Sequence, residues 1–375
     1  MQDNWKIKCL VPDLPSAEDV LPYLKRVDQN RWYSNFGPLV REFEHTMASM
    51  FKEASPALAA TRAERTNVAT FSSATTALEL MLRASGLKKP ARILTPALTF
   101  SATAASIEIT GHTPVFCDVD SDNWCLTPEI AKRISEKYQI DAVLPVAIYG
   151  YPIELDTWAE FQRDTGIRVF IDAAAALGNQ LIHPDIPICF SLHATKPFGI
   201  GEGGLLVASD QLVERARNLS NFAFCDGTSR EVGTNAKLAE VLAAYGLAQI
   251  TRFPEVQARR KQVLDQYIAL LGEEHFHPLT KDYVPGTLLI DAPGKAAALE
   301  RALSDARIQT RKWYFPPLNE HIAFQSAEII RGDDGTLLPH IDDLKNRLIG
   351  LPFHAFLTES DLQEIASVVS KVLES

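Results

Sequence analysis

Between Val68 and about Val207 the chain repeats one theme: a short apolar run, a turn, then a helical stretch. No other feature limits the fold as strongly, because strands joined through helices build a mostly parallel sheet that needs cover on both faces. The runs that read as strands are 67–71, 92–95, 113–117, 142–146, 168–171 and 188–192, with helical stretches at 76–84, 99–109, 128–137 and 156–165. In such a sheet, ligands bind at the carboxyl ends of the strands. Ahead of this block lie a helix from Ser16 through Arg26, a turn-rich aromatic segment at 31–38 and an amphipathic helix with Leu39, Phe43, Met47 and Met50 on one face. From about Pro254 the texture changes to helices at 259–271, 296–306 and 359–373 around 285–291 and 308–315, with fewer crossovers. The expected organisation is therefore an N-terminal arm (1–35), a large α/β domain (36–252) and a smaller α+β domain (253–375).

The strand ends carry the chemistry. Lys196 leaves the apolar run 188–192 and enters a glycine-rich loop, where a reactive amine can sit with backbone packed closely around it, unless it is simply a solvated loop lysine. Gly199, Gly201 and Gly204 spell the dinucleotide fingerprint G-x-G-x-x-G, but that motif needs a helix opening at it. Here Leu205–Ala208 reads as another strand, so the glycines are expected to shape a hairpin-like turn beside the lysine, and a nicotinamide cofactor is not expected. Asp172 ends the run 168–171. A carboxylate at the end of a buried strand needs a cation or donor, unless it merely caps a following helix. Ser72 to Thr76 lead into a helix, whose free amides make either an anion site or an ordinary cap. Phe100, after the next strand, offers an aromatic face to a flat ligand unless it is simply core.

The bulk properties narrow the ligand. A net charge of -10 without a basic cluster argues against nucleic acid and anionic membrane surfaces and for small molecules. Five scattered cysteines without C-x-x-C spacing read as reduced thiols, with no metal site. No leader pattern and no apolar run long enough to span a bilayer is visible, so the cytoplasm is the expected location. One small molecule needs all the marked residues at once. Pyridoxal 5'-phosphate requires a lysine for a Schiff base, an acid to keep its ring nitrogen protonated, a phosphate cradle and a flat apolar face. Lys196, Asp172, the segment Ser72 to Thr76 and Phe100 supply them.

Longer motifs extend this reading. They are Asn35-Phe-Gly-Pro-Leu-Val-Arg-Glu-Phe-Glu44, Pro96-x-x-Thr-Phe100, Gly111-x-x-Pro-Val-Phe-x-Asp118, Ser191-x-x-Ala-Thr-Lys196, Gly201-Glu-Gly-Gly204, Gly233-Thr-Asn-Ala-Lys-Leu-Ala-Glu240 with Ala243-Ala244, and Leu351-Pro-Phe-His354. With them the chain resembles the DegT/DnrJ/EryC1/StrS sugar aminotransferases, which have the aspartate-aminotransferase-like fold type I of pyridoxal phosphate enzymes. The resemblance implies that Lys196 joins the cofactor and carries the proton, and that Asp172 pairs with the ring nitrogen. It further implies that Ala74, Thr75 and Ser191 hold the phosphate, that Phe100 stacks on the ring, and that Asn235 reaches the phosphate from the other subunit of a homodimer. Tyr314 and His321 would border the substrate. The implied reaction moves an amino group from L-glutamate to a keto or aldehyde sugar, either nucleotide-linked or a sugar acid such as 8-oxo-3-deoxy-octulosonate, for cell-surface glycan, lipopolysaccharide or antibiotic synthesis. A related dehydratase branch carries histidine in place of the lysine, which Lys196 argues against; a cofactor-bound regulator without turnover is the other alternative. Two departures stand close to the cofactor: Ala74 where members carry glycine, and Ala175 where they carry glutamine or histidine facing the ring hydroxyl. The second removes a hydrogen bond worth on the order of 1 kcal/mol.

Overall fold

The computed structural model describes residues 4–55, 66–332 and 335–375. Helices α1 (Ala17–Asn30) and α2 (Pro38–Ala54) precede the alternating block. That block runs β1 (Thr66–Phe71), α3 (Ala74–Ala84), β2 (Arg92–Pro96), α4 (Ser101–Ile109), β3 (Thr113–Cys117), α5 (Pro128–Ser135) and β4 (Ala142–Val143). It continues through α6 (Leu155–Thr165), β5 (Arg168–Val169), β6 (Ile171–Asp172), β7 (Ile188–Ser191), β8 (Gly204–Ser209) and α7 (Asp210–Leu219). A small hairpin, β9 (Phe224–Cys225) and β10 (Thr228–Ser229), leads to the long helix α8 (Glu240–Leu271). The remainder is β11 (Leu289–Asp291), α9 (Ala296–Asp305), β12 (Glu328–Ile329), α10 (Pro339–Lys345), β13 (Leu348–Gly350) and α11 (Glu359–Leu373).

Two ladders, β1–β8–β7–β6 and β12–β3–β2–β4–β5, meet where β5 and β6 form the two halves of residues 168–172. A parallel bridge from Val146 to Asp172 and a bond from the Phe170 amide to the Val143 carbonyl (3.0 Å) join them into one sheet. Within it only β8 runs antiparallel to its neighbours. Alternation along the strands explains the two flanking layers, since successive side chains leave opposite faces of a strand. Leu205 and Val207 of β8 join an apolar cluster with α1, α2, α6 and α8, while Leu206 and Ala208 join another with α3 and α7.

Local chemistry sets the helix starts. Ser73 and Thr76 form a reciprocal capping box at α3, Thr127 caps α5 with Pro128 in the first turn, and Thr358 and Asp361 cap α11. At α2 the N-cap is Gly37, and the buried carboxylate of Glu240 takes its place, accepting from the amides of Leu39 and Val40 at 2.9 Å each. The helix expected at 259–271 in fact begins at Glu240 and passes through Pro254. Its first half packs in the sheet's core through Ala243, Ala244 and Phe253, and its second half in a separate C-terminal core through Val263, Leu264 and Tyr267. The boundary placed at 252/253 thus lies inside one continuous helix. The N-terminal segment lies on its own chain: Ile7 bridges Ile308, and Asp13 pairs with Arg252 and Arg259 at 2.8 and 3.3 Å. Residues 318–348 also fold back, with β12 extending the large sheet beside β3.

Candidate active site

A cavity of about 290 Å³ opens at the carboxyl ends of the sheet strands. Lys196, Asp172, Ala74, Thr75, Phe100, Ser191 and Tyr314 all line it. Asn235 and His321 do not: the Asn235 amide oxygen accepts from Lys237 at 2.7 Å, and His321 Nε2 lies 3.0 Å from the Pro316 carbonyl.

Asp172 is held on all sides. Its backbone amide donates to the Pro145 carbonyl (3.0 Å), its carbonyl accepts from the Ala147 amide (2.9 Å), and the next amide, Ala173, donates to Cys189 (2.8 Å). No helix begins after it, so it is not a helix cap. Its Oδ2 accepts from the Thr103 hydroxyl at 2.7 Å and its Oδ1 from the Ala174 amide at 3.1 Å. Burial raises the carboxyl's pKa above its ordinary value, against the lowering by those two donors and by the Lys196 charge. Lys196 shows the reverse. Burial lowers the pKa of its amine, and the Asp172 carboxylate offsets this in part.

Lys196 stands on the hairpin that joins β7 to β8. The hairpin is laced by bonds from the Leu192 amide to Gly203 (2.9 Å) and from the Ala194 amide to Gly201 (2.8 Å), and no helix opens at the glycines. Gly201 turns it at φ 110°, a conformation that side chains disfavour. Gly204 serves differently, since a Cβ there would stand 2.4 Å from the Ser73 carbonyl oxygen and 2.6 Å from the Ala74 nitrogen. Its bareness lets the N-terminus of α3 sit directly against β8. There Ser73 and Thr76 cap each other, so the ordinary cap is present, yet the amides of Ala74 and Thr75 have no protein acceptor among the described residues. Two free amides, the positive end of the helix dipole and the Ser191 hydroxyl beside them fit a phosphate.

The cavity's remaining wall is aromatic. Phe100 is 63% exposed, which core packing would not produce. Its ring lies 6.1 Å from that of Tyr314, which stacks on Tyr149 at 5.7 Å and 9°. Burial and the Asp172 charge raise the Tyr314 phenol well above its usual range. Several lining residues had no marked role in the sequence: Tyr149, Trp313, His193 and Glu202, and behind the wall Thr103. Thr103 had one signal, its spacing of four from Thr99, whose hydroxyl it meets at 2.9 Å. A larger cavity of about 550 Å³ between α2, β1 and α7 includes the pair Glu44 and Arg217 (2.8 Å), with Glu44 also bonded by Thr70. Those charges satisfy one another and serve the packing.

The comparisons with known proteins agree with this geometry. The profile described as the DegT/DnrJ/EryC1/StrS aminotransferase family matches residues 16–370. The chain belongs to that family. Among its relatives is a dTDP-4-amino-4,6-dideoxy-D-glucose transaminase of Shigella dysenteriae, 26% identical over 381 residues that cover 96% of this chain and 97% of that protein. A putative PLP-dependent aminotransferase from Bacillus cereus ATCC 10987 superposes with a TM-score of 0.85 at 25% identity, covering 97% of this chain and 99% of the other. DesI, solved in the presence of its TDP-sugar product, superposes with a TM-score of 0.81 at 27% identity, over 100% of this chain and 94% of that one. The DegT/DnrJ/EryC1/StrS chain described here is accordingly a transaminase with pyridoxal 5'-phosphate as its cofactor and the fold type I architecture. Among the described residues no helix is long and apolar enough to cross a membrane, and no cluster of three or more His, Cys, Asp or Glu is placed to hold a metal.

Proposed function

We infer that this transaminase moves an amino group from L-glutamate to the carbonyl of a nucleotide-linked keto-deoxysugar, as a homodimer whose two sites are shared. The observation that carries the reading is the convergence of Lys196, Asp172 and the free α3 amides on one cavity. When bound, pyridoxal 5'-phosphate supplies a carbonyl that takes up the amino group and a ring that accepts electrons as a proton leaves the neighbouring carbon. Each protein group has one task. Ala74, Thr75 and Ser191 would hold the phosphate, Asp172 would keep the ring nitrogen protonated, and Phe100 would cover the ring. Lys196, its pKa lowered by burial, would stand more readily as the neutral amine that takes the substrate's Cα proton, and once protonated would return it. Asn235 would reach the phosphate of a second copy, which suits its place outside its own cavity. Tyr314 would face the substrate, and the packing of His321 against Pro316 leaves it without a part in this chain's cavity.

A nucleotide-linked acceptor is preferred to a free sugar acid because the Shigella relative and DesI are both named with dTDP or TDP sugars. An enzyme of this kind would serve glycan, lipopolysaccharide or antibiotic sugar synthesis in the cytoplasm. The test is a purified protein loaded with pyridoxal 5'-phosphate, L-glutamate as donor and dTDP-4-keto-6-deoxy-D-glucose as acceptor, with aminosugar measured by mass spectrometry. Wild type is expected to form it, and Lys196→Ala to lose on the order of 10²–10⁴-fold or more in rate. A Lys196→Ala variant as fast as wild type would refute the assignment.

A further inference from the structure

Four charged or basic side chains line the cavity: Asp172, Lys196, His193 and Glu202. The first two are committed to the cofactor. His193 and Glu202 stand on opposite arms of the hairpin that carries Lys196, next to the bridge between His193 and Gly201. Both sit at the mouth, their side chains 46% and 62% exposed.

The pair does not read as a structural tie. His193 Nε2 and Glu202 Oε1 are 3.6 Å apart, beyond a hydrogen bond, and ion pairs this exposed contribute only about 0–1 kcal/mol. The imidazole is nevertheless fixed. Its Nδ1 accepts from the Thr195 amide at 3.3 Å and lies 2.9 Å from the Thr195 hydroxyl, and the His193 amide donates to Ser191 Oγ at 3.2 Å. With Nδ1 so occupied, the ring proton belongs on Nε2 and is aimed at the space shared with Glu202. The cavity mouth therefore presents a fixed donor and a free carboxylate side by side, neither satisfying the other.

We propose that His193 and Glu202 recognise the hydroxyl groups of the sugar acceptor, His193 Nε2 donating and Glu202 accepting; this rests on the sugar-transaminase reading above. Sign decides between the two substrates. The Glu202 carboxylate repels the carboxylates of an amino-acid donor or its oxo-acid, whereas a neutral hydroxyl can donate to it and accept from the neighbouring imidazole. The rest of the mouth is aromatic and aliphatic, through Phe100, Trp313 and Ile148 among others, and offers a polyol apolar contact but few fixed polar partners. His193 and Glu202 are thus specificity-determining residues.

The test compares two amine acceptors on the same enzyme. The pyridoxamine form, prepared with L-glutamate and desalted, is mixed with 2-oxoglutarate or with dTDP-4-keto-6-deoxy-D-glucose and related carbonyl sugars, and the return of the pyridoxal absorbance is followed. In Glu202→Gln and His193→Asn the ratio of kcat/KM for the sugar to that for 2-oxoglutarate should fall at least about tenfold, through KM for the sugar, and Glu202→Asp should recover part of it. The reaction with 2-oxoglutarate reports that each variant is folded and loaded. An unchanged ratio in both variants overturns this assignment and leaves the sugar-transaminase reading standing. A wild type that reacts with 2-oxoglutarate and with no carbonyl sugar overturns both.

Discussion

Asp172 and Lys196 are charges that folding has taken out of water, and their responses have opposite signs. For Asp172 the folded pKa lies above the unfolded value of 3.8, so between the two the native state holds more protons than the unfolded chain. Stability then falls as pH rises through that window, and above it the burial cost of the carboxylate stands in full. Asp172→Asn should therefore stabilise the cofactor-free protein at pH 8, a gain that urea melts should show fading as the pH drops toward 3.8. The same variant should lose on the order of 10²-fold or more in transamination, because an amide cannot hold a ring nitrogen protonated. Thr103 gives a finer probe. Thr103→Val removes the 2.7 Å donor that lowers the Asp172 pKa, so the carboxyl becomes harder to ionise. The acid limb of the activity profile should move to higher pH, since the lost hydrogen bond favoured the charged carboxylate. A limb that stays in place would mean that Asp172 does not control it. Of these residues, Asp172 was legible from its place at a strand end. Thr103 was not, because a threonine inside a helix gains meaning only when the sheet brings a carboxylate to it from sixty-nine positions away.

At the scale of elements, the proposed phosphate cradle depends on how closely α3 approaches β8. Gly204→Ala would put a methyl against backbone atoms of Ser73 and Ala74, which cannot rotate away as a side-chain end can. A loss of about 1–3 kcal/mol in denaturant unfolding is expected, together with weaker cofactor binding by fluorescence titration. A Gly204→Ala variant with wild-type affinity would show that the cradle does not need this contact. The strands themselves were readable wherever apolar periodicity was unbroken, as at 113–117, which β3 spans. The run at 142–146 was less simple. Pro145 has no N–H to give, so β4 is only Ala142–Val143, although the Leu144 amide still donates to the Leu94 carbonyl (2.8 Å) and the Pro145 carbonyl accepts from the Asp172 amide (3.0 Å) ahead of the bridge from Val146 to Asp172. Pro254 misled in the other direction. It marks a break in sequence, yet α8 continues through it because both flanking halves are anchored in separate apolar cores. Local propensity gave way to packing that only the tertiary structure defines.

At the scale of the whole molecule, the question is whether one copy of the chain holds a finished site. Asn235 lies on a segment that flanks the free edge of β1, through the bridge between Phe71 and Lys237 and the bond from the Ser72 amide to the Ala236 carbonyl. Lys237 fixes the Asn235 side chain at 2.7 Å and Asn221 at 2.8 Å, while Phe222, Phe224 and Val232 are exposed nearby in sequence. A segment this well braced, apolar on its outside and carrying a phosphate-binding type of side chain, is suited to serve a second copy. Mixed dimers test this directly. Lys196→Ala lacks the lysine, and Asn235→Ala, assayed at limiting cofactor, should bind the phosphate about 1–2 kcal/mol more weakly. If sites are shared, a heterodimer of the two has one site with both residues intact and one with neither. Equal mixing after mild dissociation should then restore about a quarter of the wild-type activity, from statistical pairing of two-fold dimers. If each chain completes its own site, neither arrangement contains an intact one, and the mixture should show no more than the sum of its separate components.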